Sequence, residues 1–391
     1  LPAGQDEIHT MSSVTSGLDW RPFSRLASPR EAVRQFTPNW FAVTMGTGVL
    51  AIALALVPGG APLLKSIGRG LWLFNIGLFS LFTLMYAARW IFFFHGARRI
   101  FGHSVVSMFF GCIPMGLATI INGIVIYAFP SETAVHIAEA LWWGDAAMAV
   151  VCGIAIPFMM FTRQAHAIDQ MTAVWLLPVV AAEVAAASGG LLAPHVAPAA
   201  QLTMLVMSYV LWALSVPLAM SILTILVLRM AIHKLPHASM AASSWLSLGP
   251  IGTGALALLL MGSAAPSIFA ANGLAEVGLV AHGIGVIGGL LLWAFGLWWM
   301  ASAILITLRY LREGLPFNLG WWGYTFPLGV YALATLRLSQ IFPIMAFAIF
   351  GTLLVVALAL LWLGVGALTL RGAWRGDLFV SPCLVENSST G

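Results

Sequence analysis

Ile113-Pro114-Met115-Gly116-Leu117-Ala118-Thr119 sets a proline and a glycine two residues apart inside a long apolar run. The same kernel returns as Pro250-Ile251-Gly252 and Pro327-Leu328-Gly329. Pro178-Val179-Val180 keeps the proline and loses the glycine; Thr44-Met45-Gly46 keeps the glycine and loses the proline. Successive kernels start 70, 64, 72 and 77 residues apart, about the length of a helical hairpin. Five hairpins are expected, each with one kernel-bearing span and one bulkier span without it.

Between the kernels the chain is too apolar for a water-facing surface. It is 61% hydrophobic and 8% charged, where a soluble domain carries roughly 25% charge. Apolar runs bounded by Pro, Gly and charge place spans at 38–57, 69–94, 103–129, 137–162, 172–192, 199–229, 243–264, 275–309, 318–336 and 342–370. Each can cross about 30 Å of hydrocarbon as a helix.

The charges test this assignment. With the N-terminus in the cytoplasm, 14 of the 17 Lys and Arg residues fall on the cytoplasmic side. Only Lys65, Arg69 and Arg337 fall on the other. That bias is what the positive-inside rule expects, and it puts both termini in the cytoplasm. The net charge of +4 therefore sets orientation and is no nucleic-acid signature. The first 35 residues are polar, without the apolar core of a signal peptide. Met11 is expected to be the native start, with residues 1–10 added. Residues 1–35 and 376–391 read as cytoplasmic flanks of a membrane domain at 36–375, ending in a tail, Glu386 to Gly391.

A proline inside a membrane helix removes one hydrogen bond and kinks the helix. The carbonyls freed here belong to Phe110, Val174, Leu246 and Gly323. Lipid cannot satisfy them; a water-lined cavity or neighbouring helices can. The expected fold is all-α and membrane-integral, with ten transmembrane helices as five hairpins in a quasi-fivefold arrangement. An inner ring of odd, kinked helices surrounds a pore, and even helices form an outer ring. Thr44, Gly46, Pro114, Gly116, Pro178, Pro250, Gly252, Pro327 and Gly329 are its candidate kinks and lining. Hairpins packed through small residues with no passage are the alternative. The kernel spans carry almost no ionised side chain, which favours anions over a cation pathway lined by carboxylates.

The residue before each kernel is Val43, Ile113, Leu177, Gly249 and Phe326 in turn. Only Phe326 is aromatic, so it is the largest obstacle at that level; packing between helices is its other reading. Glu183 lies deep in the fifth span, where a carboxylate is a functional candidate by default. It either carries a proton coupled to anion movement or bonds a freed carbonyl or Thr119, its counterpart in the repeat. Asp145 is expected in an interhelical or subunit contact, and Arg337 either attracts anions or snorkels to the interface. Trp40, Trp72 and Trp374 fit interfacial anchoring. Cys112, Cys152 and Cys383 lack metal or redox spacing, and His282 has no ligand partner, so no metal or cofactor is expected. No paired carboxylate or nucleophile–base set supports an enzyme.

Several segments together resemble the tellurite-resistance/dicarboxylate transporter family. They are Pro38-Asn39-Trp40-Phe41 with Thr44-Met45-Gly46-Thr47-Gly48, Ile113 to Thr119, Trp175 to Val180, Gly249-Pro250, and Phe317-Asn318-Leu319-Gly320-Trp321-Trp322-Gly323-Tyr324-Thr325-Phe326-Pro327. That family includes bacterial tellurite-resistance protein A, the yeast malate permease, the fungal sulfite efflux pump and the slow-type anion channels of plant guard cells. The resemblance spans about residues 36 to 375. It implies a homotrimer with a pore in each protomer, blocked midway by an aromatic ring that here is Phe326. A bacterial cytoplasmic membrane is the expected location and small anions the expected cargo. A proton-coupled exporter of sulfite or a C4-dicarboxylate such as malate, with Glu183 as proton carrier, is the competing reading.

Overall fold

The computed structural model describes residues 22–385. Residues 1–10, Met11, Arg21 and the tail from Glu386 lie outside the described residues. The described chain is helical, with no strand. Its long helices are α1 (Phe41–Leu56), α2 (Pro62–Phe92), α3 (Cys112–Tyr127), α4 (Glu132–Thr162), α5 (Leu177–Leu192), α6 (Pro198–His233), α7 (Leu248–Ala271), α8 (Ala275–Glu313), α9 (Thr325–Ile341) and α10 (Met345–Arg375). Nine helical segments among the described residues are long and apolar enough to cross a membrane. The exception is α9, which has 17 residues and carries Arg337.

Burial divides the helices into two sets. The windows containing α1, α3, α5 and α7 are 78%, 61%, 94% and 67% buried, whereas those of the even helices are 17% to 33% buried. Most of α9 is buried as well. The even helices show Leu, Ile, Val and Phe outward, as in Leu84, Phe161, Leu291 and Leu360. Apolar side chains facing outward are stable against lipid and not against water. The buried helices touch in sequence: α1 packs on α3, α3 on α5, α5 on α7, α7 on α9, and α9 on α1. Each even helix packs on its own hairpin partner and on the next odd helix, so α2 covers α1 and α3, and α10 covers α9 and α1.

The kernel prolines act differently from the expected mid-helix kink. Pro114, Pro250 and Pro327 are each the third residue of their α-helix, and Pro178 is the second. A tight lead-in precedes each helix: 3-10 turns at Val106–Gly111, Ala173–Leu176 and Leu319–Tyr324, and a short helical turn at Ser243–Leu246. In the first turn the missing proline N–H would have lacked a partner anyway, so the break falls where it costs least. Two of the freed carbonyls find partners: the Cys152 thiol lies 3.8 Å from the Phe110 oxygen, and the Leu177 N–H donates to Val174.

A second repeat holds the even helices to the odd ones. Trp72 on α2 donates its indole N–H to the Ile120 carbonyl on α3 at 3.1 Å, and Trp142 on α4 to Ala185 on α5 at 2.8 Å. Trp212 on α6 donates to the Gly254 carbonyl on α7 at 3.0 Å. Trp293 on α8 reaches the Thr335 hydroxyl on α9 at 2.8 Å, and Trp362 on α10 the Thr47 hydroxyl on α1 at 3.0 Å. Every even helix thus ties itself to the odd helix that follows, the last one to the first.

At one end of the bundle, called the near end below, the described ends of the chain meet. The Arg89 guanidinium, fully buried at the base of α2, donates to the Phe36 carbonyl and to Ser381 Oγ. Phe379 stacks on Trp40 with ring centroids 4.9 Å apart, and Arg25 pairs with Asp377 at 2.9 Å.

Candidate functional site

The same five odd helices or their lead-ins line a cavity at each end of the bundle. The near-end cavity holds about 240 Å³ and is lined by Met45, Cys112, Leu177, Leu246 and Phe326, with Pro327 beside it. Its polar lining is uncharged: Asn39, Ser239, Ser243 and Asn318. The far-end cavity, about 110 Å³, is lined by Ile52, Asn122, Ala187, Leu256 and Leu333, with Arg337 and Gln340 at the end of α9.

The two cavities share no lining residue. Seven residues separate Met45 from Ile52 on α1 and Phe326 from Leu333 on α9, roughly 10 Å at 1.5 Å per residue, and Thr47, Val49, Leu328 and Val330 in that interval are buried. Phe326 forms part of the inner limit of the near-end cavity and is only 4% exposed.

Of the candidate residues, Phe326 and Pro327 border this cavity, while the kernel glycines sit between neighbouring odd helices. A Cβ on Gly46 would lie 2.2 Å from Thr325 Oγ1 of α9, and one on Gly116 2.4 Å from Thr44 Oγ1 of α1. On Gly252 it would lie 3.0 Å from the Tyr331 backbone, and on Gly329 2.5 Å from Val49. These glycines let the odd helices close on one another. Thr44 is fully buried and donates to the Phe41 carbonyl at 2.7 Å. Pro114, Pro178 and Pro250 border neither cavity and start their helices, as described above.

Glu183 is fully buried, and its partner is Ser215 on α6, whose Oγ lies 3.3 Å from Oε2; Oε1 has no hydrogen-bond partner. The expected bond to Thr119 or to a freed carbonyl is not made. Thr119 instead donates to the Gly116 carbonyl at 2.7 Å and accepts from Asn75 of α2 at 3.1 Å. Both residues point towards even helices, because the register of each hairpin sets an outer helix opposite them. Asp145 on α4 is fully buried within the single chain, the placement of an interhelical contact, and neither carboxylate oxygen has a hydrogen-bond partner. His282 meets the Gly262 carbonyl at 3.0 Å, a packing contact.

Sequence reading missed the five tryptophan bonds. Trp72 was expected to anchor at the membrane interface and is instead 7% exposed, holding α3; Trp40 is 3% exposed under Phe379, while Trp374 is half exposed. A signal was present: Trp72, Trp142, Trp212, Trp293 and Trp362 recur 70, 70, 81 and 69 residues apart, once per hairpin. In the loop after α4, His166 stands against Trp175, with ring centroids 5.1 Å apart, and burial pushes its imidazole below the ordinary histidine range.

A family model described as voltage-dependent anion channel matches residues 35–370, the stretch that contains all five kernels and every lining residue of the two cavities except Pro382. The chain belongs to the voltage-dependent anion channel family. Among its relatives is a sulfite efflux pump of Arthroderma benhamiae, 38% identical over 354 residues, covering 89% of this chain and 93% of that protein. An uncharacterized transporter of Methanocaldococcus jannaschii is 28% identical over 90% of this chain and 97% of its own. The malic acid transport protein of Schizosaccharomyces pombe is 24% identical over 92% of this chain and 84% of its own. The resemblance read from the motifs is thereby borne out, and this voltage-dependent anion channel relative is placed among membrane channels and transporters.

Proposed function

We propose that the chain conducts small anions through a gated passage enclosed by α1, α3, α5, α7 and α9, with Phe326 as the stopper. One observation carries this reading: two cavities at opposite ends of the same five helices, separated by a short buried stretch with Phe326 at its near-end edge. All ten helices span the membrane on this reading, in a quasi-fivefold arrangement, with the near end and both termini in the cytoplasm. The shortness of α9 suits a buried wall helix flanked by its 3-10 lead-in. A homotrimer in a bacterial cytoplasmic membrane completes the proposal. Sulfite and C4-dicarboxylates such as malate are the first anions to try, from the names of the relatives. Reversal potentials of the purified protein in planar bilayers, under paired gradients of sulfite, malate and chloride, test it; a shift towards the cation equilibrium potential would overturn it.

A second reading, proton-coupled transport with Glu183 as the carrier and Thr119 as a polar neighbour in the wall, draws on the unpartnered Glu183 Oε1. Anion uptake into sealed vesicles with and without an imposed proton gradient separates the two.

A further inference from the structure

Arg337 is the one charged side chain in the lining of either cavity. One guanidinium nitrogen donates to Gln340 Oε1 at 2.6 Å, one helical turn on. Its Nε is buried and has no hydrogen-bond partner. It enters no ion pair among the described residues, unlike Arg25, Arg34 and Arg309. The cavity it faces is otherwise mostly aliphatic, apart from Gln340 and Asn122, whose buried Oδ1 also lacks a partner.

A guanidinium presents five N–H donors in a planar fork and accepts nothing. Arg337 is partly buried, with its Nε enclosed and its bond to Gln340 at the exposed end of the cavity; a partly desolvated guanidinium is stabilised by an anionic partner. The described chain supplies none here, so the fork can take its acceptor from outside the chain. Two parallel N–H groups match two oxygens of one carboxylate or of a sulfite-like oxyanion, a match chloride cannot make. The Asn122 amide can turn either its NH₂ or its oxygen towards the same space.

We propose that Arg337, with Gln340 and Asn122, forms a binding subsite for a small oxyanion or carboxylate at the far end of the passage. Its effect on flux rests on the pore reading above; the binding itself does not. The near-end cavity has no charged counterpart, so occupancy differs between the two ends. An anion held at the far end waits beyond the buried stretch that Phe326 borders.

Thermal unfolding of the full chain, purified in lipid-free detergent, tests the subsite at constant ionic strength with sodium sulfite, sodium malate or sodium chloride. Sulfite or malate is expected to raise the unfolding midpoint saturably, and chloride is not. Arg337→Gln should weaken the half-saturating concentration at least about tenfold, while Arg337→Lys keeps a weaker response with less preference for planar carboxylates. If Arg337→Gln does not fold, Gln340→Leu and Asn122→Leu are read in its place. Equal saturable shifts in wild type and the variants would overturn the subsite, as would no shift in wild type up to about 100 mM. An Arg337-dependent shift in a protein that carries no anion current would leave the subsite standing and remove the pore reading.

Discussion

Truncation of Phe326 to alanine is expected to raise the resting anion current roughly ten- to hundredfold. The ring is 4% exposed and borders the near-end cavity, so opening requires it to leave its seat. Burying a side chain of this size stabilises by about 1.5–3 kcal/mol. A passage that opens only when the ring is displaced is then open roughly 1–10% of the time. Alanine removes that requirement, and current per protein rises by the reciprocal of the open fraction. Phe326→Leu, which refills most of the space, should give a smaller rise. The structural cost should fall short of the ~3–5 kcal/mol of a fully enclosed Phe→Ala change, because the ring already faces a void. Planar-bilayer recordings normalised to incorporated protein, with size-exclusion profiles as a check on assembly, make the measurement. An unchanged current in a variant that assembles and unfolds like wild type would refute the reasoning.

Three further outcomes follow from the packing. Gly111→Ala would place a Cβ 2.1 Å from the Leu177 carbonyl oxygen and 2.6 Å from its carbon; backbone atoms cannot yield like a flexible side chain, so about 3 kcal/mol or more is lost, read as a lower midpoint and loss of monodisperse protein. Trp142→Phe removes the 2.8 Å bond to Ala185 between α4 and α5 and should cost about 0.5–2 kcal/mol, seen in thermal unfolding with the current largely kept. Glu183→Gln keeps a partner for Ser215 and lines neither cavity, so the pH dependence of anion flux should stay as in wild type; its loss in vesicle assays would favour the proton-coupled reading.

The long apolar helices were legible because hydrocarbon imposes a minimum apolar length. The kernels also located the breaks in the odd helices, although a proline reads alike as a kink or as the start of a helix. What Glu183 and Thr119 face was not legible. Their partners, Ser215 and Asn75, lie 32 and 44 residues away, and only the register of the packed hairpins brings them together. The tryptophans misled for a related reason: near a span end the same indole serves a headgroup layer or a neighbouring carbonyl, and local sequence does not say which. The kernel glycines marked close approach correctly, but the approach is between neighbouring odd helices.

The bond from Trp362 to Thr47 spans 315 residues, and the helices that make it are the last and first of the ten. During synthesis α1 must therefore wait in the membrane, one flank uncovered, until nearly the whole chain has been made. Loop closure over such a separation is slow and leaves packing surface exposed meanwhile. A nascent chain halted before α10 would hold nine helices with an open seam between α9 and α1, and lateral helix exchange or degradation would act on it there.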